Sequence, residues 1–225
     1  MRARRGYRRR GVPAGSVAAV ADVDGRVARR RRNREAVVEA ALNLLEEGVL
    51  DPSVEQITER SGVSPRSVFR YFESLDEMRS AVLRRNEDRM QEWLGPVPAG
   101  GSLEQRVVRL VSGRVAMFDR VAGVARAARL REYQVPGIAA DLARVREALR
   151  AQALGAVEPE LRAKDEAAAS ETGAAIDVLL SFESWDLCTR VQGMPADQVR
   201  RVWGRALVGL LAAQPANAAA GGGAR

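Results

Sequence analysis

Residues 53–72 read SVEQITERSGVSPRSVFRYF, and this stretch decides the fold. Ser53 and Gln56 have capping-box spacing at the head of a short apolar helix. Gly62 stands where that helix must end in a left-handed backbone state and turn sharply, a state that β-carbons penalise. Ser64 and Pro65 then offer an N-cap hydroxyl and a proline at the first helical position, where its missing N–H costs nothing. Val54, Ile57, Val63, Val68 and Phe72 have the spacing to pack the two short helices on each other and on a preceding helix. So short a turn sets the helices roughly perpendicular. The second helix then presents Arg66, Ser67, Arg70 and Tyr71 outward, as donors able to reach base edges and phosphates in a major groove.

Working outward, Val37, Ala40, Ala41, Leu44 and Leu45 form one apolar stripe, which predicts a helix opened by Asn33 and stopped near Gly48. On the other side Ser74 and Glu77 form a second capping box, and Leu75, Met78, Val82, Met90 and Trp93 follow one side of a longer helix. Residues 95–101, GPVPAGG, are the strongest break in the chain. Helical periodicity resumes beyond it, over about 102–118, 119–132, 136–156, 158–190 and 195–213. No alternating strand pattern of useful length occurs, and residues 215–225, PANAAAGGGAR, read as a low-complexity tail.

Composition removes most catalytic chemistry. The 225 residues contain no histidine and one cysteine, Cys188. That excludes a Ser-His-Asp triad, internal disulfides and cysteine-rich zinc sites, and a single thiol suits a reducing compartment. No Gly-rich phosphate loop or metal-ligand spacing occurs, so neither an enzyme nor a cofactor or metal is expected. The longest charge-free apolar stretches, 11–21 and 206–213, fall short of the roughly 20 residues of a bilayer crossing. Residues 11–21 end in Ala19-Val20-Ala21, but their hydrophobicity is weak for a secretion signal, so the chain is expected in the cytoplasm with no membrane association.

The sequence pI is near 10.7, yet the charge is uneven. Residues 1–32 hold eleven arginines against Asp22 and Asp24, a balance of +9, so within the whole-chain +7 the remaining residues carry about −2. Rich in Gly and lacking a sustained apolar period, residues 1–32 are expected to be a disordered basic arm, either simply solvated or bound to phosphates.

Residues 33–80 resemble the DNA-binding domain of TetR-family transcriptional regulators. That family carries Ile-Ala-x-x-Ala-Gly-Val-Ser, then Tyr-x-His/Tyr-Phe, then Ser-Lys-x-x-Leu. Here these read Ile57-Thr58-Glu59-Arg60-Ser61-Gly62-Val63-Ser64, Phe69-Arg70-Tyr71-Phe72 and Ser74-Leu75-Asp76-Glu77-Met78. Two departures stand out: Phe69 lacks the family's phosphate-touching hydroxyl, and Leu75 lacks its lysine charge. Arg66, Arg70 and the run Arg29, Arg30, Arg31 and Arg32 are the groups placed to compensate.

The resemblance implies an all-α chain of about nine helices. It comprises the arm (1–32), a three-helix helix-turn-helix domain (33–80), a helical regulatory and dimerisation domain (81–213) reached along a long fourth helix, and a disordered tail (214–225). It implies a homodimer on a palindromic duplex operator, repressing until a small-molecule effector binds. The DNA-facing set is Ser53, Ser64, Pro65, Arg66, Ser67, Phe69, Arg70 and Tyr71 with the four arginines 29–32. Candidate pocket residues are Met117, Phe118, Tyr133, Phe182 and Trp185, with ordinary core as the alternative. Candidate dimer residues are Ala175, Val178, Leu179, Val199, Trp203, Leu207 and Leu210, with the monomer core as the alternative. A helical protein-interaction module of the same fold, not binding DNA, is the rival function, favoured by Phe69 and Leu75.

Overall fold

The structure, a computed structural model, describes the backbone of residues 15–93, 97–98 and 100–212, with side chains over 25–90, 97–98 and 100–212. Among the described residues it has ten α-helices, one π-helical turn and no strand. Helix α1 (Gly15–Glu46) starts well ahead of the expected Asn33 cap, so Arg29, Arg30, Arg31 and Arg32 lie on a helix rather than on an arm. Nothing in the sequence stops it there: alanine and arginine are strong helix formers, no proline intervenes, and Gly25 alone costs about 1 kcal/mol. The parts of the expected arm and tail at 1–14 and 214–225 lie outside the described residues.

The helix-turn-helix consists of α2 (Val54–Ser61) and α3 (Pro65–Tyr71). The Ser53–Gln56 capping box forms in both directions, and Gly62 takes φ 67°. Val37, Leu42, Ile57, Val68 and Phe72 share one buried cluster, in which each full side chain contributes roughly 1.5–3 kcal/mol. Val54, expected in the core, is only half-buried and does not belong to that cluster. Helix α4 (Leu75–Trp93) opens with the Glu77 N–H donating to Ser74 Oγ at 3.0 Å. The Glu77 carboxylate returns to the Glu73 N–H at 2.6 Å instead of to Ser74, one residue earlier than a regular box. Leu75, in place of a charged residue, packs against the N-terminal cluster.

Beyond the break, α5 (Leu103–Arg131) runs unbroken through the boundary expected at 118–119, since Phe118 and Val121 continue one buried stripe. It is the central helix, packing on α1, α4, α6 (Pro136–Ala156) and α10 (Ala196–Ala212). The helix expected over 158–190 is divided into α7 (Glu158–Arg162), α8 (Glu166–Leu179), α9 (Phe182–Asp186) and a π-helical turn (Leu187–Val191). Two caps divide it. Asp165 Oδ1 accepts from the Ala168 N–H at 2.8 Å, and Ser181 Oγ accepts from the Ser184 N–H at 3.1 Å, so each residue starts a new helix.

The two halves of the molecule press closely together where α5 crosses α1. A β-carbon on Gly123 of α5 would lie 1.7 Å from the Leu45 carbonyl oxygen of α1, so the helices can touch only with glycine there. The next residue, Val124, belongs to the N-terminal cluster. No helix among the described residues is long and apolar enough to cross a membrane.

Candidate functional site

The exposed face of α3 carries Arg66, Phe69 and Arg70, with Ser64 and Pro65 at its head and Ser53 on the neighbouring cap. Ser67 is half-buried. Its hydroxyl lies 3.2 Å from Ser64 Oγ and accepts from Arg70 Nη2 at 3.3 Å. Ser64, expected to cap α3 through its side chain, makes no such bond, because its hydroxyl is engaged with Ser67. Tyr71, expected outward, is buried: on a helix of seven residues it falls on the stripe facing α1. Its hydroxyl accepts from Asn33 Nδ2 at 3.1 Å and from Arg70 Nη2 at 3.3 Å. These two bonds, Asn33 first, hold its pKa below the usual phenol value. Tyr71 thus ties α1 to α3 and aims Arg70.

The arginines of this half divide into two populations. Away from the α3 face they are neutralised: Arg60 by Glu47 at 2.7 Å, Arg79 by Asp76 at 2.8 Å, Arg34 by Glu77 at 3.2 Å and Arg89 by Glu46 at 3.0 Å. Among the described residues, Arg29, Arg30, Arg32, Arg66 and Arg70 have no carboxylate within ion-pair distance. Arg30 Nη2 reaches the Arg70 carbonyl at 3.4 Å, which brings Arg30 of α1 beside α3. Arg31 differs, being paired with Glu35 at 2.8 Å. Arg30, Arg66 and Arg70 thus make a patch of unmatched positive charge beside Phe69, 58% exposed, with Arg29 and Arg32 flanking Arg30 along α1. Such a patch suits phosphates, whose neutralisation releases counterions.

A second feature is a cavity of about 410 Å³ walled by α4, α5, α6, α8 and the start of α9. Phe118 and Phe182 line it, their rings meeting edge to face at 5.4 Å. Met117 and Trp185 are buried in the same core but do not line the cavity, because their positions on α5 and α9 turn them away from it. Tyr133 is 97% exposed, in the turn between α5 and α6. The sequence reading missed the polar part of the wall, namely Asn86, Glu87, Arg114, Arg129, Asp141, Arg146, Asp177, Ser181 and Glu183. One signal was available: Arg114 interrupts the apolar stripe Leu110, Val111, Val115 and Phe118, where a charge has no place unless it does something.

Three of those charges are tied to one another. Arg129 donates to Glu183 at 2.7 Å and its guanidinium lies 4.3 Å over the Phe182 ring. Arg146 bridges Glu183 and Glu132. Burial alone would raise the Glu183 carboxyl, but the hydrogen bonds and charge of these arginines outweigh it and hold the group at about 2.

The expected dimer residues separate into two groups. Val199, Trp203 and Leu207 are buried within the chain, in the core that α10 shares with α5, so they are not an open seam. The same apolar stripe serves either purpose, and α5 takes it. Ala175, Leu179 and Leu210 are half-buried, while Val178 is 72% exposed. Val178, which also borders the cavity, and Val202, 40% exposed on α10, leave apolar surface on α8 and α10.

Residues 37–82 match the family model described as "Bacterial regulatory proteins, tetR family". The structure is similar to a transcriptional regulator from Rhodococcus sp. Rha1, with a TM-score of 0.63 and 20% identity over 81% of this chain and 95% of that one. It is similar to a tetR-family transcriptional regulator from Streptomyces coelicolor, with a TM-score of 0.64 and 19% identity over 80% of each chain. It is also similar to the multidrug binding protein EbrR complexed with imidazole, with a TM-score of 0.55 and 17% identity over 81% of this chain and 94% of that one. No curated protein matches the chain. The chain therefore has the fold of TetR-family transcriptional regulators, with a helix-turn-helix matching theirs at its N-terminal end.

Proposed function

We propose that the chain is a homodimeric, sequence-specific transcriptional regulator of the cytoplasm, a repressor released from a palindromic operator when a small molecule enters the cavity. The carrying observation is the cluster of arginines without carboxylates on α1 and α3, set against the paired arginines elsewhere in the same half. Arg66 and Arg70 are the groups for base edges, and Arg29, Arg30 and Arg32 those for the phosphate backbone, carried on a helix instead of a flexible arm. Phe69 suits a thymine methyl, which an apolar side chain reads in the major groove. It would equally suit a protein partner, and the footprint below decides between them. The apolar surface on α8 and α10 supplies the dimer contact. A two-fold axis then places the recognition helices on half-sites about one DNA turn apart or slightly more.

Release requires that the effector favour the conformation that fits the operator less well. Helix α5 supplies the connection: Val121, Val124 and Ala125 line the cavity, Val124 also packs in the N-terminal core, and Gly123 presses on the Leu45 carbonyl. Leu83, Val124 and Ala128 border both the large cavity and a smaller void of about 50 Å³ under the helix-turn-helix, so movement of one wall reaches the other. EbrR, of the same fold, binds a small molecule, which supports a cavity of this kind as an effector site.

The test is a nuclease footprint of the full-length chain on the DNA upstream of its own gene. Protection of an inverted repeat supports the reading. A uniformly unprotected upstream region and genome, with the protein folded, would favour the protein-interaction reading.

A further inference from the structure

Helix α5 buries two arginines two turns apart, Arg106 at 7% and Arg114 at 2% exposure. A buried guanidinium remains charged, so its desolvation must be met by a counter-charge or by several good acceptors. Arg106 is met fully. It donates to the Ala156 and Gly101 carbonyls at 3.0 and 2.8 Å and to the Glu160 carboxylate. Arg114 has only neutral acceptors: the Leu180 carbonyl at 3.0 Å, the Leu149 carbonyl at 2.8 Å and Gln152 Oε1 at 3.1 Å. Its Nε meets no acceptor, and among the described residues no carboxylate lies within ion-pair distance of it. Burial draws its pKa down to about 10 against the opposing charge of Asp177, which is itself tied to Arg150 at 3.1 Å.

The two arginines differ in what they face: Arg114 lines the 410 Å³ cavity and Arg106 does not. The other charges on that wall are matched. Asp141 Oδ1 is bound by Arg144 at 2.9 Å while its buried Oδ2 makes no hydrogen bond and has Arg84 at 4.0 Å, Glu87 is bound by Arg144 at 3.2 Å, Asp177 by Arg150 at 3.1 Å, and Glu183 by Arg129 and Arg146. Among the described residues, the charge on that wall without an ion-pair partner is therefore the Arg114 cation, and most of its surroundings, such as Phe118, Val121, Leu142, Val145 and Phe182, are apolar. We propose that the effector is a mainly apolar molecule bearing a carboxylate, and that Arg114 receives that carboxylate. A monoanion gives Arg114 the ion-pair partner it lacks. A neutral ligand leaves Arg114 unmatched, and a cation adds repulsion. The guanidinium is already oriented by two backbone carbonyls and Gln152, so little ordering remains to be done when a carboxylate arrives.

This inference rests on the cavity being the effector site of the regulator proposed above, and the test separates the two. Calorimetric titration of the full-length chain uses decanoate and 2-naphthoate against the alcohols and amines of the same skeletons. At least one carboxylate should bind about tenfold or more tighter than its alcohol and amine, the scale of a charged hydrogen bond in a buried site. In Arg114→Met that preference should vanish while alcohol binding persists, and Arg114→Lys should retain part of it. Alcohols or amines binding as tightly as the carboxylates, no carboxylate binding below about 1 mM, or a preference that survives Arg114→Met would each overturn the proposal. If Arg114→Met does not fold, the head-group ranking on the unaltered chain still decides. A gel shift on duplex DNA with the same preparation keeps the readings apart: DNA binding without a carboxylate preference defeats this inference alone, and failure to bind DNA defeats the regulator.

Discussion

The α3 face and the cavity wall both display arginine without a carboxylate, but one stands in water and the other does not. Arg66 and Arg70 are exposed, so leaving them unmatched costs little, and solvent and salt screen them until phosphates arrive. Arg114 is buried, so leaving it unmatched costs desolvation at all times. The contrast teaches how to read an unpaired charge: on a surface it becomes informative only when several cluster and their neighbours are paired, whereas in a core a single one suffices.

The largest effect expected from breaking this contrast is at the surface. Replacing Arg66 and Arg70 together by alanine should weaken operator binding by about 100-fold or more, since each base-reading contact is worth roughly 1–3 kcal/mol. Circular dichroism and dimerisation should stay unchanged, because neither side chain belongs to the core. Next in size is the junction between the two regions. Gly123→Ala forces a β-carbon onto the Leu45 carbonyl, and overpacking of this kind should cost about 1–3 kcal/mol in chemical denaturation. It should also loosen the response of DNA binding to any ligand, and a variant of wild-type stability would show that the helices do not press together there.

Smaller effects sharpen the picture further. Ser53→Ala removes one half of the α2 capping box and should cost about 1 kcal/mol by the same measurement. On the cavity side, the Glu183 carboxyl is held at about 2, below its unfolded value. Its contribution is therefore present above the unfolded pKa and is lost as the pH falls through about 2. Because the group is half exposed, Glu183→Gln should change acid stability by less than about 1 kcal/mol. The variant's stability curve should be flatter than that of the unaltered chain between the usual glutamate range and that pH.

The helix-turn-helix was legible because its determinants are local. Ser53 and Gln56 are three residues apart, and Gly62 must turn the chain whatever lies elsewhere. Where a side chain had a choice, reading failed. The Ser64 hydroxyl could cap or bond Ser67, and Tyr71 could face out or close onto Asn33, and in both cases packing chose. Val199, Trp203 and Leu207 illustrate the same limit at longer range, since one apolar stripe fits a partner subunit or α5 equally well. The cavity was the least legible part, because its wall draws on residues from Leu83 to Glu183 that share no sequence period. Arg114 within an apolar stripe was its one visible trace.

The central claim is that the arginine cluster on α1 and α3 binds duplex DNA, and fluorescence anisotropy of the full-length chain on its upstream DNA across a salt series tests it most directly. The account predicts tight binding whose log affinity falls linearly with log salt, at about 0.9 per phosphate engaged. The slope should be shallower when Arg29 and Arg32 are replaced by alanine. No binding at low ionic strength, or a slope untouched by those substitutions and by loss of Arg66 and Arg70, would contradict it.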